Sequence, residues 1–276
     1  MGLFDGKVAL VTGGARGQGR SHALAFAAEG ADVIIVDICA DIATVDYPLA
    51  TPADLAETAA AVGELGRRAV PARADVRDAA GLAAAVDAAV SELGRLDIVC
   101  ANAGIISLAR AWELTEQQWQ DVIDVNQTGV WHTVKVTVPH LLAGSGGSIV
   151  VTSSLAGMQG QRNAIAYIAS KHAIIGMMKA LANELAPFGI RVNSVNPTNV
   201  ATPMLLNDSV YRRFRPDLEH PVEADALDGF ASLNLMPVPY VQPEDVSNAV
   251  IWLCSDAARY LTGVSLPVDA GGYVRT

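Results

Sequence analysis

The feature that most constrains this chain is an alternation: short apolar runs rich in Val and Ile recur along it, separated by longer Ala-rich stretches with helical spacing. Tight turns can join antiparallel strands, but a helix-length interval between strands is what a parallel pair requires, so the pattern reads as βα units. It places strands near residues 7–12, 32–37, 68–74, 97–101, 147–153, 191–196 and 265–268, with helices starting near Gly17, Ala53, Asp78, Thr115, Asn163 and Pro243. Seven strands and six helices predict an α/β fold, a doubly wound seven-stranded parallel sheet with helices on both faces. Two segments break the rhythm, an insert at 38–52 and a proline-rich lobe at about 202–241, and both are expected as loops or lids over a site.

With 276 residues, 51% hydrophobic and only 5% aromatic, the chain is expected to bury one core as a single domain spanning 1–276. Its formal charge of −10 repels phosphate backbones and its Lys and Arg form no run, which argues against nucleic-acid and membrane partners. Cys39, Cys100 and Cys254 form no CxxC pair, and no charged n-region or long apolar stretch is present, so a soluble protein of the reducing cytoplasm is expected. His22, His132, His140, His172 and His220 lack ligand spacing such as HExxH, and no metal site is expected. Neither a GxSxG elbow nor a GxxxxGK[ST] loop occurs, which argues against a hydrolase of either type.

Directly after the first strand comes Thr12-Gly13-Gly14-Ala15-Arg16-Gly17-Gln18-Gly19, with a helix beginning inside it. Gly13 can take positive φ for a tight turn, Gly17 lets the chain approach a pyrophosphate, and Gly19 permits close helix packing. The helix N-terminus then offers free N–H groups to the anion. The second strand ends in Asp37, close to the spacing at which an acid accepts from the adenosine ribose 2′-OH and repels a 2′-phosphate. NAD is therefore favoured over NADP; Arg16 is the contrary sign, but Asp37 is followed by Ile38 rather than a second base.

Further along stand Asp75-Val76, Asn102-Ala103-Gly104, Asn126, Ser154, Tyr167-x-x-x-Lys171 and Pro197-Thr198. In this order and spacing the chain resembles the short-chain dehydrogenase/reductase family over nearly its whole length. The glycine loop matches the family's TGxxxGxG form, Ala101 replaces the first Asn of its NNAG element, and Thr198 replaces the Gly of its Pro-Gly. The resemblance implies a Rossmann fold, a dinucleotide contacting Gly13, Arg16, Gly17, Gln18, Gly19, Asp37, Asp75, Val76, Asn102, Ala103, Gly104, Tyr167, Lys171, Pro197, Thr198, Val200 and Thr202, and a catalytic set of Asn126, Ser154, Tyr167 and Lys171. It also implies that Lys171 binds the nicotinamide ribose, that Asn126 holds a water linking Lys171 to solvent, and that the protein is a homotetramer.

The residues support that chemistry independently. Tyr167 and Lys171 lie one helical turn apart and share a face. An adjacent ammonium and the positive nicotinamide ring are expected to favour the phenolate, making Tyr167 a base in alcohol oxidation and an acid in ketone reduction. Ser154, at the carboxyl end of its strand, can orient the substrate oxygen. The insert, with Asp54 to Thr58 and Gly66-Arg67-Arg68, is similar to the carveol dehydrogenase-like subgroup associated with the redox cofactor mycofactocin, and is expected to fold over the adenosine end, slow exchange of NAD and leave it to be recycled by an external acceptor. Met204, Leu205, Leu206, Tyr211, Phe214, Phe230, Leu233, Leu235 and Met236 are candidate walls for a mainly apolar secondary alcohol or ketone, terpenoid or steroid-like. Two alternatives stay open: an NADP-dependent ketoreductase of the 3-oxoacyl type, against which Asp37 argues, and a non-catalytic dinucleotide sensor, which would have no need of both Tyr167 and Lys171.

Overall fold

The computed structural model describes residues 2–144 and 146–275. Its strands are β1 (Val8–Thr12), β2 (Asp32–Asp37), β3 (Ala69–Arg73), β4 (Ile98–Ala101), β5 (Gly147–Thr152), β6 (Ile190–Pro197) and β7 (Ser265–Val268). They form one all-parallel sheet in the order β3-β2-β1-β4-β5-β6-β7. The helices are α1 (Gly17–Ala28), α2 (Pro52–Glu64), α3 (Ala79–Leu93), α4 (Glu116–Ile123), α5 (Gly129–Ala143), α6 (Ile165–Leu185), α7 (Asp208–Phe214), α8 (Glu223–Ala231) and α9 (Pro243–Cys254).

Successive strand residues point to opposite faces, and each face has its own helical layer. Val8, Leu10, Ile34, Val36, Val99 and Ile149 pack with α3, α4, α5 and α6. Ala9, Val11, Val33, Ile35, Ile98 and Val150 pack with α1, α2 and α9. Both faces being covered, β1 and β2 are buried at every position, which is why they read as continuous apolar runs. The expected doubly wound sheet is what forms, with strand ends shifted by at most one residue.

Several boundaries move for identifiable reasons. Asp78 and Thr115 are N-caps, one residue outside α3 and α4. Helix α2 starts at Pro52 rather than Ala53, because Thr51 accepts from the Asp54 N–H while Asp54 caps Thr51 in return, and Pro52 occupies the first helical position. Asn163 cannot open α6: its φ is +61, a left-handed conformation, and the helix begins at Ile165.

The lobe at 202–241 is not a loop. It holds α7 and α8, packed through Val210, Tyr211, Ala226 and Phe230 into a separate small core in which the Phe214 and Phe230 rings meet edge-on at 4.8 Å. These helices escape a periodicity reading because they are only 7 and 9 residues long and sit between prolines. The insert at 38–52, by contrast, has no regular structure before Pro52 and runs beside the carboxyl ends of the strands.

Candidate active site

The sheet order reverses between β1 and β4, so the loops leaving these two strands diverge and open a crevice at their carboxyl ends. Gly13 and Gly17 in the loop after β1 have φ of +64 and +55, which a side chain would strain. A Cβ on Gly19 would lie 2.0 Å from the Gly13 carbonyl oxygen, so only glycine lets α1 approach the loop this closely. Across the crevice Asn102 donates from Nδ2 to the Thr12 carbonyl at 3.0 Å, and the Asn102 and Ala103 N–H groups both donate to Thr12 Oγ1. The two loops are one rigid wall.

Asp37 stands at the end of β2, its carboxylate accepting from the Ala15 and Cys39 N–H groups at 3.1 Å each. It borders a narrow cavity of about 140 Å³ with the glycine loop, Asp75, Val76, Ala103 and the insert residues Ile42, Tyr47 and Leu49. Arg16 does not stay free in this loop: its guanidinium donates to the Pro48 carbonyl. The insert is stitched down elsewhere too, by Thr44 to Asp121 at 2.7 Å, by the Ile106 N–H donating to the Tyr47 phenol oxygen at 3.3 Å, and by Ser107 to the Thr44 carbonyl at 3.3 Å. Asp75 is held by a bidentate Arg77, an ion pair that the sequence reading did not foresee.

A second cavity, of about 450 Å³, continues from the first: Gln18, Asn102, Gly104, Thr202 and Met204 line both. Ser154, Tyr167 and Lys171 line the second. Ser154, just past β5, accepts from the Ala156 N–H at 3.1 Å and faces the Pro197 carbonyl at 3.4 Å, which ties it to β6. Lys171 is buried, donates to the Thr152 carbonyl at 2.8 Å, and lies 5.5 Å from the centre of the Tyr167 ring. Asn126, fully buried in the wide π turn joining α4 to α5, exchanges two hydrogen bonds with the Ile105 backbone, at 2.8 and 2.9 Å, and donates to Ser170 at 3.2 Å. It thereby pins the loop after β4 to α6. Both its Oδ1 and Lys171 Nζ approach Gly104, at 3.4 and 3.5 Å from where a Cβ would sit. Pro197, Thr198 and Val200 complete this wall, Thr198 donating to Asn234 of the lobe at 2.8 Å, and Thr202 packs its methyl against Gly17.

Burial holds the Tyr167 phenol above its ordinary value, and the neighbouring Ser154 hydroxyl acts the other way. Burial likewise pulls Lys171 down to about 7. The lobe divides the candidate walls: Met204, Leu205, Phe214 and Leu233 line the cavity, while Tyr211 and Phe230 fill the lobe's core, Leu206 packs beside it, and Leu235 and Met236 are exposed. Sequence reasoning missed Leu108, Asn199, Arg162 and Arg213, which come from loops and a short helix with no pattern to mark them.

Among the described residues no group of three His, Cys, Asp or Glu could hold a metal, and no helix is long and apolar enough to cross a membrane. A crevice that runs from a glycine loop to a Tyr and a Lys, at the switch point of a doubly wound sheet, is of the kind found in nicotinamide-dependent oxidoreductases. Residues 7–210 match the family model described as short chain dehydrogenase, and the chain belongs to that family. It is 53% identical to the (-)-trans-carveol dehydrogenase of Rhodococcus erythropolis over 98% of this chain and 99% of that one. The crystal structure of carveol dehydrogenase from Mycobacterium avium in complex with NAD superposes with a TM-score of 0.98 at 53% identity, covering 100% of both chains. A short chain dehydrogenase from Mycobacterium paratuberculosis bound to NAD gives 0.91 at 42%, covering 99% of this chain and 100% of that one.

Proposed function

We propose that the protein is an NAD-dependent dehydrogenase of mainly apolar secondary alcohols, or the corresponding ketoreductase. The observation that carries this reading is the continuity of the two cavities, which share Gln18, Asn102, Gly104, Thr202 and Met204 and so join the Asp37 end to Tyr167 and Ser154. The residues fit a dinucleotide: Gly13, Gly14 and Gly19 have no room for a side chain and Gly17 has a positive φ, the Asp37 carboxylate lines the first cavity, and Gln18 has a buried Oε1 with no partner. Gly13, Gly17 and the α1 N-terminus would hold the pyrophosphate, Asp37 the adenosine ribose, Asp75 and Val76 the adenine region, and Lys171 with Val200 and Thr202 the nicotinamide half.

When bound, the nicotinamide ring supplies the hydride acceptor or donor. Ser154 orients the substrate oxygen, Tyr167 takes the alcohol proton in oxidation and returns it in reduction, and Lys171, with Asn126 positioning the adjoining backbone, links that proton to solvent. Burial favours the protonated phenol of Tyr167, and a positive nicotinamide ring bound beside it would favour the phenolate. Asp37 supports NAD, since Arg16, the one base of the loop, is turned to the Pro48 carbonyl.

The insert acts as a strap over the adenosine end that slows exchange, leaving the dinucleotide to be recycled in place by an external acceptor of the mycofactocin type; its four tethers support this. Exposed Trp112, Trp131 and Ile165 are large apolar side chains that burial between subunits of a homotetramer would cover, and three free cysteines suit a reducing cytosol. Secondary alcohols of graded size, assayed with free NAD and separately with an artificial acceptor, test the reading. Turnover lowered about 10²–10⁴-fold in Tyr167→Phe supports it; unchanged turnover sinks it. Retention of NAD(H) through gel filtration and dilution tests the strap.

A further inference from the structure

The substrate cavity is electrostatically unlike the rest of the molecule. The chain carries 29 acidic against 19 basic residues, yet no acid lines this cavity, whereas Arg162, Arg213 and Lys171 do. Lys171 is committed to the Thr152 carbonyl. Arg213, on α7, is half-buried among Phe214, Val210 and Leu205, and its guanidinium donates only to main-chain carbonyls, those of Asn163 at 3.4 Å and of Arg162. Among the described residues neither Arg162 nor Arg213 has a carboxylate partner.

A guanidinium has five N–H donors in a planar fork, and two carbonyl contacts leave part of that fork unused. Desolvation works against the Arg213 cation and no neighbouring carboxylate relieves it. The same cavity lining includes Asn199, whose buried Nδ2 also lacks a partner. At Arg162, Arg213 and Asn199 the unsatisfied capacity of the lining is that of donors and positive charge, beside apolar surface from Leu108, Met204 and Leu233, while its unpartnered acceptor, Gln18 Oε1, belongs to the part shared with the dinucleotide cavity.

We propose that the physiological substrate is an anionic alcohol or ketone: an apolar body carrying, besides the reacting carbinol or carbonyl, a carboxylate or similar oxyanion that Arg213 binds with help from Arg162. The inference rests on the dehydrogenase reading and sharpens its substrate class. A carboxylate docked on the fork would gain charge-assisted, bidentate hydrogen bonds in a half-buried setting, where a neutral ester would leave the cation unpaired. Arg162 is exposed, so its share is screened by salt and Arg213 carries most of the discrimination.

The test uses a propanoic acid bearing a cyclohexanone ring at its far end, and its methyl ester. Binding to NAD-loaded protein is read by calorimetry and ketone reduction is read with NADH. The acid is expected to bind about tenfold or more tighter than the ester, and Arg213→Gln to remove that preference by weakening the acid about tenfold while leaving the ester nearly unchanged. Arg213→Lys, which keeps the charge without the fork, should retain part of the preference, and added salt should weaken only the acid. Equal binding of acid and ester by the unaltered protein, failure of the acid to bind, or an Arg213→Gln effect that lowers acid and ester alike, as loss of a mere clasp between α7 and the Arg162 segment would, overturns the proposal. Arg213-dependent binding without reduction of any ketone would instead refute the dehydrogenase reading.

Discussion

Replacing Gly19 with Ala sets two known effects against each other. Gly19 is the third residue of α1, and by helix propensity alone Ala should stabilise the chain by up to about 1 kcal/mol. The structure reverses the sign. The new Cβ would fall 2.0 Å from the Gly13 carbonyl oxygen, 2.7 Å from its carbon and 2.9 Å from Asn102 Nδ2, and the first two are backbone atoms that cannot rotate away. Moving Gly13 also disturbs the Asn102 bonds that join the loops after β1 and β4. Overpacking of this kind costs about 1–3 kcal/mol or more, so a net loss of at least about 1 kcal/mol is expected, which lowers the midpoint of thermal unfolding by about 2–4 °C per kcal/mol. The loop that would hold the pyrophosphate moves with it, and NADH affinity should fall at least about tenfold. Gly63→Ala is the matched control: it lies on the exposed side of α2 with nothing within 4 Å of its would-be Cβ, and should gain a few tenths to about 1 kcal/mol. Thermal unfolding and NADH fluorescence titration read both variants. A Gly19→Ala variant as stable as its parent, with unchanged affinity, would refute the steric argument.

Asn126→Ala leaves the Ile105 N–H and carbonyl buried without their partner, which should cost about 2–5 kcal/mol and lower turnover as the β4 loop loosens; urea unfolding with steady-state rates measures both. Acid stability should report on His22, buried against Ser247 with its Nε2 unpartnered and its pKa lowered from 6.5 to about 4 by burial. Below pH ~6.5 the unfolded chain takes up a proton that the folded one refuses, so stability falls between pH ~6.5 and ~4 by about 3 kcal/mol and is unaffected above that window. Unfolding curves of His22→Gln across this range should lack that slope, and an unchanged slope would assign it to other groups.

Much of this protein is legible in its sequence because the determinants are local and periodic. The βα alternation yields the parallel sheet, the loop from Gly13 to Gly19 announces its own backbone needs, and the spacing of Tyr167 and Lys171 puts them on one helix face whatever surrounds them. Helix starts slip where capping chemistry or a left-handed residue such as Asn163 intervenes.

The tertiary structure decided what depends on neighbours distant in the chain. Helices α7 and α8 are too short to have a period and exist through the shared packing of Phe214 and Phe230. The pKa directions of Tyr167 and Lys171 follow from desolvation, a property of everything around them that the spacing of the two residues does not carry. The insert could be seen in sequence as an interruption, but its tethers to Arg16, Ile106, Ser107 and Asp121 come from two other loops and a helix. Arg162 and Arg213 have no motif at all. Folding brings them to a cavity without an acid, and that placement, rather than either residue's identity, gives them chemical meaning.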